Sequence, residues 1–357
     1  MTQNGSSAST YELADDMDAI EFYFEQGLTD GLPVVPPTEA RVQRMLQATT
    51  RSADEVIALV PPNFGEASVE KIAVNAVMAG CKPDYLPVVM ASMEAMCDER
   101  VSLHGVQGTT HTSTPLFIIN GPIRKQLDIN CAAGVFGSGW RANATIGRAL
   151  RLMMVNLGGA RPGEIDKSCM GHPGKFSFCI GEYEEMNPWE PLHVERGFAP
   201  DESTVSVYCC DAPQCLTNNA GRSAQSILRT IGAAMATGWN DKTMLAGSYM
   251  LVMSPEHART IADNGLSKQD VKRFLYEHVR RPLGELVPTP YDEEGFDPAR
   301  LPAWLDGANP ATLVPKVASP DAIILIVAGG TAGRFTLQMT GWGGGSGTQL
   351  VTVPIRD

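Results

Sequence analysis

Pro115-Leu-Phe-Ile-Ile-Asn120, closed by Gly121-Pro122, is the stretch on which the fold reading turns. A short run of large apolar residues ended by a turn signal fits a strand buried on both faces better than a helix, which needs more length. The pattern recurs twice. Tyr249-Met-Leu-Val-Met253 precedes Ser254-Pro-Glu-His257, and Ala322-Ile-Ile-Leu-Ile-Val327 precedes Ala328-Gly-Gly-Thr331. Ser203–Tyr208 and Gln349–Val353 are further strand candidates, and Val56–Val60 reads equally as a strand or as the sequel to a short capped turn.

Helical spacing fills the intervals. Helices are expected over about 15–27, after the cap residue Thr38, from about Ser68 to Gly80, and from Pro83 to Cys97. Others are expected over 143–156 and 221–235, from Ser254, and from Ser267 through about Val279. Strands alternating with helices predict an α/β protein, with mixed or parallel sheets flanked by helices and a pattern that permits two related halves. The expected divisions are a tail at 1–14, an α/β domain at 15–199 with a Gly/Cys-rich site segment, and a second at 200–357. Within the latter, 281–312 reads as a connector or lid because it is rich in Pro, Asp and Glu.

Composition narrows the function classes. With 357 residues, 43% hydrophobic and 19% charged, the chain has the makeup of a globular protein. A net charge of -12 without a dense Lys/Arg block argues against nucleic-acid binding. Residues 1–10 lack the basic and apolar regions of a secretory signal, and no apolar run approaches the roughly 20 residues of a membrane span. A cytoplasmic protein is expected, with eight reduced cysteines.

The chemistry concentrates in 128–190. Cys169, His172 and Cys179 have the spacing C-x2-H-x6-C. Cys169 reads as a nucleophile or redox thiol, with His172 and one of Glu182, Glu184 or Glu185 handling protons. Cys169, His172 and Cys179 as ligands to zinc or iron are the alternative, and no cofactor at all remains a further reading. Asn130, Arg141 and Asn143 make a donor-rich rim around Cys131, with Arg141 suited to gripping a carboxylate or phosphate. In the later half, His257 opens a helix and Lys268 sits near a helix N-terminus against the dipole, which a ligand contact would explain. The turns after the three apolar strands are expected to border a pocket, since ligands of α/β sheets sit beyond the carboxyl ends of strands. No P-loop, GxGxxG in its strand-to-helix setting, H-E-x-x-H or G-x-S-x-G is present.

Asp30-Gly-Leu-Pro-Val-Val-Pro-Pro-Thr38, Arg141-Ala-Asn-Ala-Thr-Ile-Gly-Arg148 and Gly171-His-Pro-Gly-Lys-Phe-Ser-Phe-Cys179 carry a resemblance of their own. On these stretches, and over most of 17–357, the chain resembles the UGSC family of bacterial selenoproteins and their cysteine homologues. The resemblance implies redox or thiol-related chemistry. The family's namesake selenocysteine-Gly-Ser-Cys run has no counterpart here. The nearest composition, Gly345-Ser-Gly-Thr348, contains no cysteine, so the family's redox pair does not transfer.

Together these readings predict a cysteine-dependent enzyme, an oxidoreductase or a catalyst of addition and elimination, acting on a small polar or anionic organic substrate. A metal-dependent hydrolase or lyase is the second reading, and a non-catalytic subunit of an enzyme complex the third. The expected partners are the small-molecule substrate and a second copy or another protein, with neither nucleic acid nor membrane.

Overall fold

The computed structural model describes residues 8–14, 18–237, 247–301, 303–305, 307–343 and 347–356. The first half of the expected tail, residues 15–17 of the expected first helix and Gly344–Ser346 of the glycine run lie outside them.

The strands in chain order are β1 (Val56–Val60), β2 (Gly65–Ser68), β3 (Thr114–Asn120), β4 (Cys179–Gly181), β5 (Thr204–Cys210) and β6 (Gln214–Thr217). There follow β7 (Tyr249–Met253), β8 (Arg280–Pro282), β9 (Leu313–Pro315), β10 (Ile323–Val327), β11 (Phe335–Thr340) and β12 (Val351–Pro354). The helices are α1 (Ala19–Glu25), α2 (Glu39–Leu46), α3 (Val69–Ala79), α4 (Leu86–Met96), α5 (Leu103–Gly108) and α6 (Ile123–Gln126). The remainder are α7 (Arg141–Asn156), α8 (Leu192–Glu195), α9 (Ala224–Thr237), α10 (Pro255–Asp263) and α11 (Lys268–His278). The α/β reading is correct: two sheets mix parallel and antiparallel neighbours, with helices flanking them.

The chain forms two compact units. Unit 1 comprises Met1–Glu182, His193–Ala212 and Gln349–Asp357, and unit 2 comprises Tyr183–Leu192 and Pro213–Thr348. The single cut expected at 199/200 therefore differs from the observed division. β5 pairs antiparallel with β3 along its whole length, from Thr114 opposite Cys210 to Asn120 opposite Thr204, which carries residues past 200 into unit 1.

In unit 1 the sheet order is β12-β5-β3-β4, with β3 and β4 parallel and the other pairs antiparallel. Every residue of β3 is buried, as its unbroken apolar run requires. α3 starts at Ser68, whose hydroxyl accepts the Lys71 N–H, and stops at Gly80, where the left-handed φ of 89° suits glycine. α7 carries Gly147 in mid-helix, a choice costing about 1 kcal/mol of helix propensity. The reason is contact: a Cβ there would collide with the Ser177 hydroxyl and lie 2.8 Å from the Phe178 nitrogen, just before β4.

In unit 2 the order is β10-β7-β11-β6, with β10 and β7 parallel and the other pairs antiparallel. Its core joins Ile227, Leu228 and Ile231 of α9 to Leu251, Ile261, Leu275 and Leu325. α11 begins with a capping box between Ser267 and Asp270. The stretch expected as a connector or lid begins within β8 and leads into β9, and its Leu283, Leu286 and Leu305 form a small core with Val314 of β9.

Counted from the parallel edge, the two sheets repeat one pattern of directions: β4-β3-β5-β12 and β10-β7-β11-β6. The outermost strands are exchanged. β6 follows β5 in the chain but pairs with β11, while β12 follows β11 but pairs with β5.

Candidate functional site

The expected reactive segment is split between the two ends of β3. At its entry, the Cys169 N–H donates to the Thr110 carbonyl (2.7 Å) and the Ser168 hydroxyl to the His111 carbonyl (2.8 Å). At its exit, the Asn120 amide donates to Glu182 Oε2 (2.7 Å). Six strand steps separate Thr114 from Asn120, about 20 Å at the usual rise. Cys169 and Glu182 thus do not share a cavity, contrary to the sequence expectation.

Cys169 is exposed. His172 accepts the Gly174 N–H at Nδ1 (3.1 Å), and its ring meets Phe178 edge-on. Burial pushes the His172 pKa below the ordinary imidazole value, although Asp211 and the Cys210 carbonyl pull the other way. The loop carrying both residues is anchored by Asp166, which accepts from Arg151 Nη2 (2.8 Å) and from Lys175 Nζ (2.8 and 2.9 Å). Cys179 lies buried in β4, where desolvation raises its thiol pKa far above normal. Among the described residues no group of three or more His, Cys, Asp or Glu side chains is placed to hold a metal ion. The expected zinc or iron set of Cys169, His172 and Cys179 is therefore not assembled, because an exposed loop thiol and a sheet-interior thiol face different environments.

Asn130 and Asn143, expected as substrate donors, clamp each other instead. The Asn130 N–H donates to Asn143 Oδ1 (2.8 Å), and Asn143 Nδ2 donates to the carbonyls of Asn130 (2.9 Å) and Cys179 (3.1 Å). Asn130 Oδ1 accepts the Ala132 N–H (2.9 Å), so the turn around Cys131 is fixed from both sides. Arg141 is committed to the end of α3, with Nε and Nη2 both donating to the Gly80 carbonyl (3.0 and 2.8 Å). Arg148, seven residues on, donates twice to Asp30 (2.8 Å each).

Glu184 and Glu185 lie on a one-turn 3-10 helix in unit 2, the former half-buried and the latter exposed. In the same unit Lys268 is buried, and its Nζ donates to the Glu190 carbonyl (3.1 Å). His257 is also buried. Its Nε2 lies 3.5 Å from the Asn218 carbonyl and its Nδ1 2.9 Å from the Thr336 hydroxyl. Desolvation leads the causes that lower its pKa. Each of these two side chains thus has a structural partner.

What the fold gathers at the carboxyl ends of the parallel pair β3 and β4 is a different set. Arg124, on α6 just beyond the Asn120-Gly-Pro turn, is buried, with Nη1 3.5 Å from the Cys131 sulfur. Gly181 leaves the room: a Cβ there would lie 3.1 Å from Cys131 Cβ and 3.3 Å from Arg124 Cδ. The next residue, Glu182, is buried and bound to Asn120. Thr204 stands opposite Asn120 on β5, and its buried hydroxyl has no hydrogen-bond partner among the described residues. Sequence reading placed Cys131 within a donor rim but missed Arg124. The available signal was a basic residue immediately beyond a buried strand, at the position where α/β sheets bind ligands.

Among the described residues no helix is long and apolar enough to cross a membrane. No protein-family model, curated protein or solved structure matches the chain.

Proposed function

We propose that the protein is a cysteine-dependent enzyme acting by addition and elimination on a small carboxylate-bearing substrate, with Cys131 as its nucleophile. The observation that carries this reading is the 3.5 Å approach of Arg124 Nη1 to the Cys131 sulfur. A guanidinium so close favours the thiolate, the form that attacks, and the same cation suits an anionic substrate. The Asn130–Asn143 clamp holds the thiol in place, so little ordering remains for the reaction.

In this scheme the thiolate forms a bond to an electrophilic acyl carbon. The carbon's bond to its leaving group breaks, and the leaving group takes a proton from Glu182. Water then cleaves the acyl thioester: its oxygen joins the acyl carbon, the C–S bond breaks to release the thiolate, one water proton returns to Glu182 and the other stays with the carboxylic acid product. Asn120 holds that carboxyl in position. Cys169 has no part in these steps.

The test is covalent trapping. The chain is incubated with a panel of small thioesters bearing a free carboxylate, quenched in acid and weighed by intact-mass spectrometry with peptide mapping. An acyl adduct on Cys131, absent in Cys131→Ser and retained in Cys169→Ser, is the expected result. An adduct that maps to Cys169, or rapid acylation unchanged by Cys131→Ser, refutes the assignment.

A further inference from the structure

Unit 1 contains a cavity of about 520 Å³ between the β1–β2 hairpin and the α4–α5 segment, remote in sequence from Cys131 and Glu182. Leu59, Phe64 and Leu103 supply apolar walls, His104 a second ring, and Glu94 and Glu99 carboxylates. Leu59 and Phe64 are 51% and 54% exposed, an unusual outlay of apolar surface for one short hairpin.

The backbone here is strained as well. Among the described residues, three other than glycine have positive φ, and two of them, Phe64 (55°) and Ser102 (59°), line this cavity. The turn that holds Phe64 is locked in place. The Asn63 N–H donates to the Gly158 carbonyl (3.1 Å), Gln107 Nε2 donates to the Pro61 carbonyl, and Gly65 abuts the Leu157 carbonyl. Such a turn calls for a residue that tolerates the left-handed region, normally glycine or asparagine. It does not call for a phenyl ring turned towards solvent, 6.0 Å from the ring of His104.

Charge selects the occupant. Among the described residues the lining includes Glu94, Asp98 and Glu99 but neither lysine nor arginine. Asp98 is paired with Arg100 (2.8 Å), and Arg51, which pairs with Glu55 (2.6 Å), lies close enough to Glu94 to feel its charge. Glu99 is exposed at the rim. A second copy of the chain seated here would set carboxylates against carboxylates. The volume falls in the usual range for small-molecule sites.

We propose that this cavity binds a small amphipathic amine, its apolar body against Leu59, Phe64 and Leu103 and its ammonium group between the Phe64 ring and Glu99. Aromatic faces attract cations, and the carboxylate supplies a directional partner. This site does not depend on the Cys131 reading.

Isothermal titration calorimetry on the full chain tests it, with 2-phenylethylammonium chloride as probe and sodium 3-phenylpropionate as the size-matched anion. Saturable one-to-one binding of the amine, at least about tenfold tighter than the carboxylate, is expected. Phe64→Gly relieves the backbone, so the melting temperature holds or rises while amine affinity drops by about tenfold or more. Glu99→Gln weakens the amine by about threefold and leaves the carboxylate no weaker, a readout that survives even if Phe64→Gly fails to fold. Equal binding of the two probes, no binding of the amine, or full affinity in either folded variant overturns the proposal.

Discussion

Asp166→Asn isolates the buried charge cluster that anchors the Cys169 loop. Asp166 and Arg151 are under 10% exposed and Lys175 is 15% exposed, so water screens these contacts poorly. At 2.8 Å and an effective dielectric near 20, each cation attracts the carboxylate by roughly 6 kcal/mol before desolvation is subtracted. Desolvation consumes most of that, and the intact cluster contributes little net stability. Removing the anion alone is another matter, since two buried cations then face each other across an amide. A loss of about 3–5 kcal/mol is expected by equilibrium urea unfolding, with faster hydrogen exchange over residues 163–177. Lys175→Met added to Asp166→Asn should recover at least half of it.

The same cluster gives a pH signature. Burial alone would raise the Asp166 carboxyl, but Lys175 and Arg151 override it and hold the group below its ordinary value. Its contribution is therefore complete above the unfolded carboxyl's pKa, about 3.9, and is lost as pH falls through the depressed folded value. Wild type should lose stability there more steeply than Asp166→Asn. A loss under about 1 kcal/mol, with unchanged exchange in 163–177, would show that the cluster behaves as a solvated surface network and would refute the reasoning.

Other substitutions follow from the same geometry. Gly147→Ala, ordinarily helix-stabilising, should cost about 1–3 kcal/mol in urea unfolding, because the new methyl meets Ser177 and the Phe178 backbone. Arg148→Lys cannot reproduce the two-pronged contact with Asp30 or the bonds to the Leu32 and Pro33 carbonyls, so limited proteolysis should cleave 28–36 faster. In native protein a maleimide should modify Cys131, whose thiolate Arg124 favours, together with exposed Cys169 and Cys215. Cys81, whose pKa burial pushes up to about 12, should react only on unfolding, as judged by peptide mapping. His257, held neutral chiefly by burial, contributes stability that is full above the normal imidazole pKa and falls as pH drops below about 6.5. His257→Gln should flatten the fall of urea midpoints as pH drops below about 6.5.

The strands that were legible in the sequence are those whose burial is purely apolar. β3, β7 and β10 announce themselves because each is buried throughout and carries four or five consecutive apolar residues. β11 does not, since Thr336 and Gln338 interrupt it. Both are nevertheless buried, because His257 bonds to Thr336 and Tyr249 and Gln214 bond to Gln338. Those partners come from other strands and from a helix, so no local pattern reveals them. Arg124 escaped notice for the same reason, as a lone arginine on a four-residue helix reads as solvated surface until the chain closes over it. Conversely, Cys169 and Glu182 are close in sequence but stand at opposite ends of β3, which local spacing cannot foretell. The donor rim around Cys131 was legible as a cluster of amides. Their direction was not, and they turn out to hold backbone.

The exchange of β6 and β12 bears on how the protein must be made. A ribosome delivers β3, β4 and β5 early, but β5 waits for its outer neighbour until every strand of the other sheet has emerged. Pairing across 146 residues, as between Ser206 and Thr352, is a slow closure, and until it happens one edge of β5 is open to unwanted pairing. Shortening the chain before residue 351 would accordingly injure the sheet that begins at residue 114 and spare the one synthesised just beforehand.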